Sequence, residues 1–288
     1  MNVLSLFDGI SCARVALDRA GIEVNAYMAS EIDKNAIKVS EKNYPDIIRV
    51  GSVVDLEVEG QVDLLIGGSP CTDLSIAKKD RKGLEGNQSS LFWEYARIKK
   101  ECNPQWFILE NVASMPKADK DIITKEMGVE PVMFNASLVS AQSRKRLFWT
   151  NIPFDLPEDR GILLKDILEA EVDDKFYIKK EMKANGKTTG KVGYVGDGEQ
   201  YGQGGQAHRV YSTDGKTPTL SSGPALIKVG YETNERIRKL TPIECERLQG
   251  LPDNYTEGVA TTNRYKCLGN AFNVDVVAHI LGRVKLMY

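Results

Sequence analysis

The sequence predicts an α/β fold: a doubly wound, mostly parallel sheet with helices on both faces, joined to a smaller and irregular second lobe. Two observations carry this expectation. Up to about Trp149, short apolar runs of strand character alternate with segments of helical period, the signature of a parallel sheet covered on both sides. After about Asp166 that alternation lapses, and residues 170–235 are rich in glycine and lysine and poor in long apolar runs. Boundaries follow from this change: a core over 1–166, a second lobe over 167–235, and a segment over 236–288 that returns to the core.

Val3 to Phe7 reads as the first strand. Ser11 to Ala20 reads as a helix with Val15, Leu17 and Ala20 on its apolar side, and Gly21 is placed to stop it. Val24 to Ala29 is a second strand. Asp33 is an N-cap for a helix running to about Asn43, which Pro45 ends. Val62–Ile66, Trp106–Leu109 and Leu147–Thr150 supply further strands, with a short one at Val53-Val54. Leu91–Cys102 and Asp119–Met127 supply helices. In the second lobe the loosest stretch, Asn185 to Gly205, reads as a glycine-rich surface loop. Strand and turn chemistry resumes from Arg209 to Leu220. Thr241-Pro242-Ile243-Glu244 is a capping box opening a helix to about Leu248. The final helix spans about Phe272 to Leu286, apolar at Val274, Val277, Ile280, Leu281 and Val284.

With 288 residues the chain suffices for one large domain or a core with an appendage. The balance of 38 basic against 40 acidic residues leaves a net charge of -2, so any nucleic-acid surface must be local. The five cysteines, Cys12, Cys71, Cys102, Cys245 and Cys267, are odd in number and form no CxxC pair. That argues against a disulfide framework or a zinc site and for a reducing compartment. Two histidines cannot anchor a histidine-rich metal site. No N-terminal signal is expected, and no apolar run reaches the roughly 20 residues of a membrane span. The expectation is a soluble cytoplasmic monomer without a metal.

The segment Gly67-Gly68-Ser69-Pro70-Cys71 follows a short buried strand. The glycines permit a tight turn and Pro70 restricts it, which suits a nucleophile held past a strand end. Two further groups lie at expected strand edges: Glu110, in Glu110-Asn111-Val112, and the arginines of Gln142-Ser143-Arg144-Lys145-Arg146. Nearer the N-terminus, Phe7-Asp8-Gly9-Ile10-Ser11 joins a strand to a helix, where ligands of open α/β sheets bind. Glu31 ends the second strand, placed to accept from ribose hydroxyls. Asp55 sits at a further strand end, placed to accept from an adenine amino group. Each acid alone reads as a helix cap; acids at successive strand ends point to a nucleoside cofactor.

In this order these residues resemble the DNA (cytosine-5)-methyltransferase family. The likeness covers nearly the whole chain, continuing through Arg238-Lys239-Leu240-Thr241-Pro242-Ile243-Glu244 and Gly269-Asn270. The active-site strip Ser69 to Ser75 also looks like that of the eukaryotic de novo enzymes, while the compact chain suggests a stand-alone bacterial or phage enzyme. Ala271-Phe272 departs from the pattern of many members. The resemblance implies a Rossmann-like methyltransferase core and a target-recognition lobe. It names the cofactor as S-adenosylmethionine, held by Phe7, Asp8, Gly9, Ser11, Glu31, Ile32, Asp55, Leu56, Pro70, Leu91, Asn270 and Phe272. It implies that the Cys71 thiolate adds to carbon 6 of a flipped-out cytosine and so makes carbon 5 nucleophilic. Glu110 would bind nitrogen 3 and the exocyclic amine, Arg146 the oxygen at carbon 2, and Arg144 would brace the acid and the backbone. The loop from Thr72 to Ser90 brings Lys78, Lys79, Arg81 and Lys82 to double-stranded DNA, and Arg209 adds a cation in the second lobe. Rival readings are a catalytically dead binding module, an RNA methyltransferase, and a small-molecule methylase. The dead module would have lost Cys71, Glu110 or Arg146, and all three are present. The lobe after Asp166 argues for duplex DNA.

Overall fold

A computed structural model of the chain describes residues 1–70, 84, 89–179, 181–195, 208–221, 223–229 and 236–285. The chain divides into two compact units. One holds Met1–Asn135, Lys145–Leu156 and Val276–Tyr288; the other holds Ala136–Arg144 and Pro157–Asp275.

The first unit follows the expected alternation. Its elements are β1 (Asn2–Leu6), α1 (Cys12–Ala20), β2 (Ala26–Ser30), α2 (Lys34–Asn43), β3 (Ile48–Gly51) and β4 (Leu64–Gly68). Then come α3 (Phe92–Cys102), β5 (Trp106–Val112), α4 (Lys117–Met127) and β6 (Val132–Asn135). After β7 (Gln142–Ser143), a strand of the second unit, β8 (Lys145–Thr150) completes the sheet. Among the described residues the sheet has seven strands in the order β3-β2-β1-β4-β5-β8-β6. Strands β1 to β5 pair in parallel, whereas β8 runs antiparallel to both β5 and β6.

Burial explains why the central strands were legible. Val3, Leu4, Leu6, Leu64, Leu65, Ile66, Ile108 and Leu109 are all buried, as a sheet covered on both faces requires. The helix signals are equally local. Asp33 accepts hydrogen bonds from the backbone N–H groups of Asn35 and Ala36, and Gly21 adopts the left-handed φ of 67° that ends α1.

Three readings need correction. The strands β3 and β6 had no expectation, because they lie at the sheet edges and carry mixed residues such as the exposed Ile48 and Met133. Val53-Val54 is not a strand: the chain leaves the sheet at Gly51, and Asp55 sits in a following turn with φ 56°. Gly67 and Gly68 are not turn residues but the last two residues of β4. A Cβ on Gly67 would lie 2.7 Å from the carbonyl oxygen of Leu6, so glycine there allows β1 to approach.

The second unit is built on short strands: β9 (Tyr177–Ile178), β10 (Met182–Ala184), β11 (Lys191–Val195), β12 (Arg209–Ser212), β13 (Thr217–Pro218), β14 (Leu226–Val229) and β15 (Arg236–Lys239). Its described sheet runs β10-β11-β12-β14-β15-β9, and β13 pairs with β7. Val192, Val195, Val210, Leu226 and Ile237 form its core, flanked by Ile178 and Met182. The helices α5 (Pro242–Leu248) and α6 (Thr261–Asn270) follow, and α7 (Val274–Lys285) returns the chain to the first unit from Val276 on. The expected boundary at 235/236 falls just before β15, which pairs with β14 and β9, so the second sheet extends past it. Sequence reasoning had no helix at α6, whose polar composition hides its period.

Candidate active site

The end of β4 leads into Ser69 and Pro70. Cys71 lies outside the described residues, as do Lys78, Lys79, Arg81 and Lys82. What holds the approach to Cys71 is visible, however. The parallel pairing of β4 with β5 sets Gly68 opposite Glu110, so both strand ends meet at one edge of the sheet. Asn111, buried, donates from Nδ2 to Ser69 Oγ at 3.1 Å and to the Ser69 carbonyl at 3.4 Å. Its own Oδ1 accepts from Val112 N at 2.8 Å. Asn111 therefore pins the residue two before Cys71 to the end of β5. Sequence reasoning gave it no role beyond its place in the motif, though a polar residue inside an apolar strand end was the available signal.

Glu110 and Arg146 meet because of register. On the antiparallel pair, Glu110 faces Phe148 and Val112 faces Arg146, which makes Glu110 and Arg146 diagonal neighbours on one face. Arg146 Nε lies 2.7 Å from Glu110 Oε1, with the two side chains only 15% and 12% exposed. Arg146 thus braces the acid. In the second unit the Arg144 guanidinium donates to the carbonyls of Gly269, at 3.2 and 3.3 Å, and of Ala271, at 2.9 Å, which is the bracing of backbone expected of it.

Glu31 organises the loops at the ends of β1 and β2. Its Oε2 accepts from Gly9 N at 2.7 Å, and its Oε1 accepts from Ile32 N and Asp33 N, both at 2.8 Å. A carboxylate has about four lone-pair sites. The two on Oε1 are taken, while Oε2 retains capacity for a hydroxyl. Space is available beside it: a Cβ on Gly9 would meet nothing within 4 Å, and Ile32 is 73% exposed. Asp55 is exposed and makes no hydrogen bond among the described residues. Phe7, Leu56 and Leu91 are half-buried and pack against the core of this unit. An open carboxylate, an uncovered apolar side chain and a second open acid fit a nucleoside with an amino group, which is the polar outline of S-adenosylmethionine.

The side chains of Asp8 and Ser11 turn the other way. Asp8 is buried and accepts from Ser11 Oγ at 2.5 Å and Tyr27 Oη at 2.7 Å, with Arg49 Nη1 at 3.7 Å. Ser40 bonds both Ser11 and Arg49. Burial pushes the Asp8 carboxyl above the usual carboxylate range, although these hydrogen bonds and Arg49 pull it down. The side chains of Asp8 and Ser11 are thus bonded within the fold, and the backbone of their loop is the part that remains for the cofactor role expected of them. Phe7, Gly9 and Ser11 all take positive φ in that loop, at 56°, 61° and 61°.

In the second unit, Asn270 ends α6 exposed, and Phe272 follows half-buried. Gln142 is buried, accepting from Leu220 N at 2.9 Å, so its role in the motif is to lock this unit internally. Arg209 faces Tyr194 across β11 and β12, and Tyr194 faces Lys183 across β10 and β11. Directly opposed residues share a face, so these three form one cross-strand row. Lys191 stacks over the Tyr194 ring at 4.6 Å, and Arg209 Nε is buried without a hydrogen-bond partner among the described residues.

Among the described residues no group of His, Cys, Asp and Glu could hold a metal ion, and no helix is long and apolar enough to cross a membrane.

Comparison with known proteins adds four findings. The profile of the C-5 cytosine-specific DNA methylase family matches residues 1–286. The type II methyltransferase M.HhaI of Haemophilus parahaemolyticus is 30% identical over 316 residues, covering 97% of this chain and 93% of its own. The type II methyltransferase M1.ScrFI of Lactococcus lactis subsp. cremoris is 30% identical over 305 residues, covering 96% and 76%. Among solved structures, the methyltransferase EhMeth of Entamoeba histolytica superposes with a TM-score of 0.75 at 15% identity, covering 100% of this chain and 99% of its own, a likeness of fold.

Proposed function

The chain belongs to the C-5 cytosine-specific DNA methylase family, and from that premise we propose how its own residues perform the reaction. It is a DNA (cytosine-5)-methyltransferase, and its methyl donor is S-adenosylmethionine. When bound, that cofactor supplies an electrophilic methyl group on a sulfonium. Glu31 is the residue we assign to its ribose, Asp55 to its adenine amine, Ile32 and Leu56 to the adenine faces, and Pro70 and Leu91 to the adjoining wall. The backbone of Phe7 to Ser11 closes the cradle. Asn270 and Phe272, in the second unit, join the assignment through the family motif.

In this reading the Cys71 thiolate forms a bond to carbon 6 of a cytosine flipped out of duplex DNA. The displaced ring electrons make carbon 5 nucleophilic. After methylation, loss of the proton from carbon 5 expels the thiolate and restores the aromatic ring. Glu110 hydrogen-bonds nitrogen 3 and the exocyclic amine while Arg146, already on its other oxygen, turns a second donor to the oxygen at carbon 2. The observation that carries this is the Glu110–Arg146 pair at 2.7 Å, one sheet position from the strand leading to Cys71. Thymine, with a proton on nitrogen 3, would present a donor where this site needs an acceptor.

For the DNA itself, we read the Lys183–Tyr194–Arg209 row as a contact surface, and we assign Lys78, Lys79, Arg81 and Lys82, in the segment after the nucleophile, to phosphate contacts of their own. The chain's net charge of -2 leaves binding to such local groups. A cytoplasmic, monomeric enzyme of restriction–modification type, like the type II relatives, completes the reading.

Bisulfite sequencing of DNA from cells expressing the protein tests base, activity and target together. With 5-fluorocytosine at the target, fluorine cannot leave as a cation, so a covalent adduct persists on a denaturing gel. The adduct should require cofactor and vanish in Cys71→Ala. An adduct retained by that variant removes Cys71 as the nucleophile.

A further inference from the structure

We propose that Arg97, on α3, is a positioning residue for the cofactor's adenine: its guanidinium holds the turn that presents Asp55. The inference rests on the reading of Asp55 as the acceptor of the adenine amine.

The turn is Val53 to Leu56, closed by Leu56 N donating to the Val53 carbonyl at 3.3 Å. Asp55 occupies its third position with φ 56°, a conformation that L side chains seldom adopt and that surrounding contacts must hold. Packing gives little help on the outer side, since Val54 and Asp55 are exposed and only Val53 is buried. Arg97 supplies what packing does not. Its Nη1 and Nη2 both donate to the Leu56 carbonyl at 3.2 Å, and Nη2 reaches the Val53 carbonyl at 3.4 Å. The fork therefore grips the carbonyls on either side of Asp55.

The guanidinium is in turn aimed from its own helix. Glu94 Oε2 accepts from Nε at 3.0 Å and from Nη2 at 2.8 Å, and Glu101 Oε2 accepts from Nη1 at 2.8 Å. Residues 94, 97 and 101 lie on one face of α3 by helical spacing. A plain surface ion network accounts for the carboxylate contacts. It does not account for two carbonyls 41 and 44 residues away in sequence, both flanking the same open acid. Lysine could replace the charge between Glu94 and Glu101, but a single ammonium cannot reproduce the planar fork.

The test compares binding of S-adenosylhomocysteine and S-inosylhomocysteine, which carries oxygen in place of the exocyclic amine. Calorimetry is run on the full chain as wild type, Arg97→Lys, Arg97→Gln and Asp55→Ala. The wild type should favour the adenine ligand by about tenfold or more, the scale of one hydrogen bond to a charged group. Both Arg97 variants should bring that ratio close to one while keeping most affinity for the inosine ligand. If Arg97→Gln fails to fold, Arg97→Lys, which keeps the charge on α3, carries the test. A wild-type ratio in the Arg97 variants, with Asp55→Ala abolishing it, overturns the proposal and leaves the Asp55 reading standing. Equal losses for both ligands mark general damage and overturn it as well. If Asp55→Ala keeps the ratio, the Asp55 reading itself fails and the role of Arg97 falls with it.

Discussion

In the proposed reaction Glu110 delivers a proton to nitrogen 3 as negative charge develops on the ring, while Arg146 holds its other oxygen. Exchanging the carboxyl for an amide keeps the shape but removes the group that can give up that proton. Glu110→Gln should bind S-adenosylmethionine normally and lose about 100-fold or more in single-turnover methyl transfer. Near-normal transfer would take Glu110 off the catalytic list. Asp8 answers to the fold rather than to the substrate. Its carboxyl is held above the usual range chiefly by burial, so its contribution to stability is full below the unfolded value near 3.8 and is lost as pH rises through the folded one. Asp8→Asn has no proton to lose. Relative to that variant, the wild type should lose stability as pH rises above about 4, the unfolded value. Thermal midpoints measured from about pH 4 upward check it, and a constant difference between the two proteins would show that Asp8 does not titrate in the folded state as argued.

Secondary elements position the site through close approach rather than through chemistry. The parallel edge formed by β1, β4 and β5 needs β4 to lie tightly against β1, and Gly67 permits it. Gly67→Ala sets a methyl group against the Leu6 backbone carbonyl, which cannot swing aside. Overpacking of this kind costs about 1–3 kcal/mol, and the thermal midpoint should fall by several degrees. A midpoint within about one degree of wild type by calorimetry would mean the strands spread without penalty. In the second unit, the capping box at Thr241 was legible because its spacing is local. Glu244 also takes Arg238 in a buried bidentate pair, at 2.7 and 2.6 Å, which ties β15 to α5. No spacing rule could announce that pairing, since Arg238 precedes the helix and the burial of both side chains depends on the whole unit.

At the scale of the molecule, the proposed site residues fall in two compact units. The first carries Glu31, Asp55, Glu110 and Arg146; the second carries Asn270, Phe272, Arg209 and its cross-strand row. If sequence specificity resides in the second lobe, replacing residues 167–235 with the matching lobe of a relative with another target should move the methylated site. Sequencing of methylated positions in a random DNA library reads the outcome. A chimaera that folds, methylates and keeps the parental site would send specificity elsewhere, most directly to the loop over 72–90. The same row makes an electrostatic prediction. Replacing Arg209 or Lys183 with a neutral residue should lower the slope of log affinity against log salt by about one for each phosphate that is no longer neutralised. An unchanged slope would remove the row from the DNA surface.

The central strands β1, β2, β4, β5 and β8, the helices α1 to α4, the caps at Asp33 and Thr241, and the family itself were determined by the sequence alone. Each rests on short-range spacing: apolar runs, a side chain reaching its own helix end, or motifs in a set order. Tertiary structure decided the rest. It set the edge strands β3 and β6, whose single neighbours leave them without an apolar signature. It turned the side chains of Asp8 and Ser11 inward, where Tyr27, Ser40 and Arg49 converge from distant positions. It put Arg146 on Glu110, because the diagonal register of an antiparallel pair is a property of two strands and not of either one.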